Sequence, residues 1–178
     1  MGCQCSGIAR PGFEWWLGFQ RTDTVARGWE MNQRASEITV EAFHRACEVG
    51  AFEVVKRFVD QGVYPLDVIS KGGWTGLIIA CFNQNHREAK FLVENGANVN
   101  ATNKNGTTVF MYAKTPIQSV PNNTELLSYL LCHGAKINAL DKRNKTVLDY
   151  VVENGADELA KWLVQNGAKR SKDLAGTF

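Results

Sequence analysis

The sequence predicts an all-α solenoid of four helix-turn-helix units joined by short β-hairpin fingers. Two recurring signatures carry that reading. The segments RFVDQGVY, FLVENGAN, YLLCHGAK and WLVQNGAK look alike, and their glycines, Gly62, Gly96, Gly134 and Gly167, lie 34, 38 and 33 residues apart. Ahead of the last three stand GGWTGLIIAC, NGTTVFMYAK and RNKTVLDYVV, whose threonines Thr75, Thr108 and Thr146 are spaced 33 and 38 apart. A steady period near 33 residues marks stacked supersecondary units, each burying its apolar face on its neighbours.

Each element follows in order. Residues 38–61 carry two helical patterns with no finger before them. In the second unit, Gly73 falls where a tight turn needs φ > 0. Thr75 then offers a side-chain oxygen to the free N–H groups of a short helix holding Leu77, Ile78, Ala80 and Cys81. A break near Gln84 and Asn85 leads to a second helix, with Ala89, Phe91 and Leu92 on its buried stripe. Gly96 ends it as a left-handed residue, and the chain returns through an extended finger anchored by Val99. Gly106 and Thr108 repeat this in the third unit, Asn144 and Thr146 in the fourth. The boundaries predicted are an extension over 1–36, units over 37–68, 69–102, 103–140 and 141–170, and a tail over 171–178.

This order resembles the ankyrin repeat, with its pattern D-x-x-G-x-T-P-L-H-x-A and a second helix ending in G-A-x-x-N. Gly73, Thr75, Leu77, Ala80, Gly96, Ala97 and Asn100 match it. So do Gly106, Thr108, Phe110, Ala113, Gly134, Ala135 and Asn138, then Asp141, Thr146, Leu148, Gly167 and Ala168. His44, Ala46 and Gly50 match in the first unit. The resemblance spans about residues 38–170. It implies a non-enzymatic protein that binds another protein through a concave face lined by fingertips and first helices.

The departures are specific. The motif proline is replaced by Gly76, Val109 and Val147, at little expected cost because the N–H there is unpaired anyway. The motif histidine survives only as His44. Ile78, Met111 and Asp149 stand in its place, and its hydrogen bond to the loop is expected to be missing there. One extra residue sits in VYPLDVIS, and a proline-bearing loop is inserted over 115–123.

Chemistry is sparse. Net charge is +2, too near neutral to argue for nucleic acid. Neither a catalytic set nor a cofactor loop is recognisable, and no cofactor or metal is expected. Cys3-x-Cys5 offers two ligands without a second pair. Cys47, Cys81 and Cys132 lie in apolar helical patterns and read as buried, reduced thiols, which places the protein in the cytoplasm. Glu37, Glu41, Arg45 and Glu48 at one end, and Asp157, Glu158, Lys161 and Gln165 at the other, read as polar outer faces of terminal units.

Binding is the stronger lead. Lys71, Lys104 and Lys142 share one repeat position at the fingertips, with Arg143 beside the last. Such a basic ladder favours an acidic partner surface; the same lysines also serve to keep an exposed edge soluble. Trp74 sits at a tip, either as an interface anchor or packed across the neighbouring finger. Phe82 and Asn83 end the second unit's first helix and face the groove. The partner-binding set is Lys71, Trp74, Phe82, Asn83, Lys104, Asn105, Lys142 and Arg143. A scaffold of this kind also fits an inhibitor or immunity-type protein that covers another protein's active site.

The start, MGCQCS, has three readings. It fits the acylation pattern, with Gly2 as a myristoyl site and Cys3 and Cys5 as palmitoyl acceptors, similar to the start of Src-type kinases; two chains would hold a membrane where one would not. Translation from Met31 would remove it. Otherwise Phe13, Trp15, Trp16, Leu17 and Phe19 form an arm that packs on the array or on a partner.

Overall fold

The computed structural model describes residues 38–115 and 124–174. Gly2, Cys3, Cys5, the aromatic arm and the insertion over 116–123 lie outside them. The first unit pairs α1 (Val40–Val49) with α2 (Phe52–Gln61), and the second pairs α3 (Gly76–Phe82) with α4 (His86–Glu94). The third pairs α5 (Val109–Ala113) with α6 (Glu125–Cys132), and the fourth pairs α7 (Val147–Glu153) with α8 (Asp157–Gln165). A single helical turn, α9 (Ser171–Leu174), occupies the start of the expected tail. The fingers are hairpins reduced to single antiparallel bridges, Ile69 with Thr75 and Thr102 with Thr108.

The capping scheme explains where the first helices begin. The side chains of Thr39, Thr75, Thr108 and Thr146 each accept the N–H of the residue three further on, satisfying one of the donors that a helix start leaves unpaired. The turn before α7 places Asn144 at φ 55°, and Gln84 reaches φ 60° in the break after α3. Asparagine tolerates that region better than most side chains do.

Helix α1 packs on α2 and α3, α3 on α4 and α5, α2 on α4, and α5 on α6. The seams hold Phe43, Phe58, Leu77, Ile78, Leu92, Phe110, Leu126, Leu127, Leu130 and Leu163, all fully buried. Burial of each such side chain contributes about 1.5–3 kcal/mol. The Phe43 and Phe58 rings stack with centroids 4.0 Å apart. A Cβ at Gly76 would lie 2.5 Å from the Phe43 ring. Gly76, at the place of the motif proline, makes room for Phe43.

Finger residues tie successive units together. Asn100 donates to the Gly134 carbonyl at 3.0 Å and accepts the Lys136 N–H at 2.8 Å. Asn138 repeats this with Gly167 at 3.0 Å and Lys169 at 2.7 Å. The extra residue in VYPLDVIS brings Asp67 to the same place, where it accepts the Asn98 N–H.

His44 Nε2 donates to the Val68 carbonyl at 3.0 Å. Ile78 and Met111 are buried apolar replacements. Asp149 corrects the expected loss in the fourth unit. Its carboxylate accepts the Thr146 and Ser171 N–H groups and pairs with Arg170 Nε at 3.0 Å. Burial opposes the Asp149 charge, yet those donors hold its carboxyl far below the usual range. The link to the following loop is thus remade by a carboxylate.

Cys47 and Cys81 are buried as expected, but Cys132 is exposed, because it sits on the last turn of α6 beside the cap residue His133. On the last unit, Asp157, Glu158, Lys161 and Gln165 are exposed, and so are Val152 and Val164. That end is less uniformly polar than the sequence suggested.

Candidate interaction surface

Ser70, Asn103 and Asp141 hold equivalent places at the finger bases, and each side chain braces the turn that follows. Ser70 Oγ accepts the Trp74 N–H at 3.2 Å. Asn103 Oδ1 accepts from Asn105 and Thr107 at 2.9 and 3.0 Å. Asp141 Oδ1 accepts from Arg143 and Lys145 at 2.9 and 3.0 Å. The last two also hold a tyrosine. Asn103 Nδ2 donates to the Tyr112 hydroxyl at 2.7 Å, and the Tyr150 hydroxyl donates to Asp141 Oδ2. Burial works against charge on Asp141, but the Tyr150 hydroxyl and the two backbone donors hold its carboxyl below the ordinary range. Burial and the Asp141 bond push the Tyr150 phenol up to about 12.

Tyr112 then positions Trp74. The Trp74 ring lies 4.5 Å from Tyr112 and 5.5 Å, edge-on, from Phe82, which is 6.0 Å from Tyr112. Trp74 is half-buried against the neighbouring unit, while Phe82 remains 38% exposed. Trp74 thus packs across to the neighbouring unit through Tyr112 and also lines an open cleft.

That space is a cleft of about 720 Å³ between the first two units. Helix α1 contributes Val40, Glu41, His44, Arg45 and Glu48; the first finger contributes Ile69, Ser70 and Lys71. Trp74, Ile79, Phe82 and Asn83 close the other side. Four of the expected contact residues, Lys71, Trp74, Phe82 and Asn83, therefore share one cleft. Burial lowers the His44 pKa, against the Val68 bond and Glu41.

The other four lie along the fingertips. Lys104 lays its stem over Gly73 and donates Nζ to the Lys71 carbonyl at 3.4 Å. Lys142 donates its backbone N–H to the Asn105 carbonyl at 3.0 Å, leaving its side chain exposed. Asn105 and Arg143 border a second, smaller cleft with Tyr112, Lys114 and Tyr150. Sequence reasoning missed Ile79, Tyr112 and Tyr150 as groove residues. The signal was present, since each stands four residues after a capping threonine.

Residues 43–139 match the family model of ankyrin repeats in three copies. The chain belongs to the ankyrin-repeat family. A second model, ankyrin repeats in many copies, matches residues 117–164. No curated protein matches the sequence. Ankyrin repeats generally mediate protein–protein interaction, and the family is typically a non-enzymatic interaction module. Among the described residues no helix of this ankyrin-repeat protein is long and apolar enough to cross a membrane.

Proposed function

We propose that the protein binds another protein along its concave face, with Trp74 and Phe82 as apolar anchors and Lys71, Asn83, Lys104, Asn105, Lys142 and Arg143 as the polar contacts. The observation that carries this reading is the exposed Phe82 edge beside a braced Trp74 at the wall of the 720 Å³ cleft. Aromatic side chains whose rotamers are already fixed lose little entropy on binding and anchor interfaces. Lys71 lines the cleft and Lys104 reaches the Lys71 carbonyl, and with Lys142 and Arg143 these cations would draw an acidic partner surface.

The test replaces Trp74 and Phe82 by alanine together and compares partner recovery from lysate with that of the wild type and of Lys56→Glu on α2. Loss with the first variant alone, with folding intact by circular dichroism, supports the assignment; equal recovery by all three sinks it. Tethering through Gly2, Cys3 and Cys5 is a separate proposal resting on MGCQCS. Intact mass of the native protein decides it: acyl increments support the tether, and a mass beginning at Met31 removes it.

A further inference from the structure

One groove side chain is out of keeping with its place in the repeat. Cys47, Cys81 and Lys114 occupy one position, three residues after His44, Ile78 and Met111. In the first two units it is a fully buried thiol, and in the third it is a lysine only 6% exposed. The Lys114 ammonium stands 5.2 Å from the centre of the Tyr150 ring. Among the described residues it has neither a hydrogen bond nor an ion pair. An ammonium taken out of water without a charged partner is costly to keep.

Lys114 reaches into the smaller cleft between the third and fourth units. Its volume is about 230 Å³, several times the roughly 30 Å³ share of a water molecule. Arg143, exposed, borders it, and Thr107 and Tyr112 add hydroxyls. The Tyr112 oxygen accepts from Asn103, and its hydroxyl also hydrogen-bonds the Thr107 side chain. The anionic groups nearby are already engaged. Asp141 accepts from Arg143, Lys145 and Tyr150, and Glu153 pairs with Lys145 at 2.7 Å. The cleft, which Asp141 also lines, therefore offers two cations, Lys114 and Arg143, that feel Glu153 and Asp141 but form no ion pair with them among the described residues.

We propose that this cleft receives one anionic group of the partner, a carboxylate or a phosphate, with Lys114 at its floor and Arg143 at its mouth. The assignment rests on partner binding along the groove and adds to it the chemistry of one contact. It also carries a pH dependence. Burial lowers the Lys114 pKa to about 8, against the pull of Glu153. Asp141, Tyr150 and Lys145 of the fourth unit, with Tyr112 of the third, are the other titratable groups around it, beside Arg143. A bound anion stabilises the charged lysine, so affinity falls as pH rises past that value.

The experiment uses the full chain carrying ¹³Cε-labelled lysine, with the Lys114 resonance assigned by its loss in Lys114→Met. Sodium phosphate and sodium acetate are titrated separately at constant ionic strength. The expected result is a saturable shift at Lys114, with its apparent pKa raised by about one unit, equivalent to tenfold tighter binding to the charged form. Arg143→Gln should weaken the response several-fold. A larger response to phosphate assigns a phosphorylated partner residue; an equal or larger response to acetate assigns an aspartate, a glutamate or a chain terminus. A shift shared by all lysines, no saturable shift with either probe, or a response indifferent to Arg143→Gln overturns the proposal. The probes need no partner, so failure here is distinguishable from failure of the Trp74 and Phe82 variant to lose its partner.

Discussion

The Asp67 carboxylate accepts the Asn98 N–H with both oxygens, at 3.0 and 3.2 Å. Asn100 and Asn138, at the equivalent place in the next two units, accept one backbone N–H and also donate to a glycine carbonyl. A carboxylate can only accept. Asp67→Asn should add the missing donor towards Gly96 and stabilise the fold by about 0.5–1.5 kcal/mol. Urea unfolding checks this, and an unchanged or lower midpoint would count against the tie as drawn.

Gly76→Ala makes the opposite case. In an open helix the change should gain roughly 1 kcal/mol. Here the new methyl meets the Phe43 ring at 2.5 Å, and Phe43 is held by Phe58 behind it. Overpacking of this kind costs about 1–3 kcal/mol. A gain in thermal stability would show that the first two units pack more loosely than described.

Asp149 sets an acid limit. Its carboxyl is held far below the usual range despite burial, by Thr146, Ser171 and Arg170. A depressed carboxyl contributes its full stability above the unfolded value of about 3.9 and loses it as pH falls towards the folded one. Asp149→Asn should therefore cost about 1.5–3 kcal/mol near neutrality, with the deficit shrinking below pH of about 4. A deficit independent of pH, measured by denaturant unfolding, would contradict this.

Lys114 behaves inversely. Its lowered pKa of about 8 means that the folded state resists protonation, so stability rises with pH from that value towards the free-lysine pKa of about 10.4. Lys114→Met should raise the thermal midpoint at neutral pH, since a thioether suits a core position. The advantage should narrow in alkaline buffer. A variant less stable than the wild type at pH near 7, or with a constant advantage, would contradict the burial of an unpaired ammonium.

Much of the fold was legible because it is local. Thr75, Thr108 and Thr146 cap their helices, and Gly73, Gly106 and Asn144 take positive φ, as their residue types demand. What escaped depends on neighbours. Nothing in the string GGWTGL says that Tyr112, in the next unit, packs against Trp74. Phe43 likewise decides the need for Gly76 from one unit upstream. Asp149 takes the place of the motif histidine, and its role depends on Arg170 and Ser171 in the segment that follows the last helix pair. Cys132 reads as core in LLSYLLCHG, yet its place on the last turn turns it outward.

The central claim is that a partner covers the groove side of the array. Hydroxyl-radical footprinting of the complex tests it most directly, because the aromatic reporters lie on different elements of the fold. Trp74, Phe82 and Tyr112 flank the groove, whereas Trp162 lies on α8, the second helix of the last unit. Partner binding should reduce oxidation of Trp74 and Phe82 several-fold and leave Trp162 unchanged. Protection of Trp162 with Trp74 and Phe82 still fully reactive would place the interface elsewhere and contradict the account.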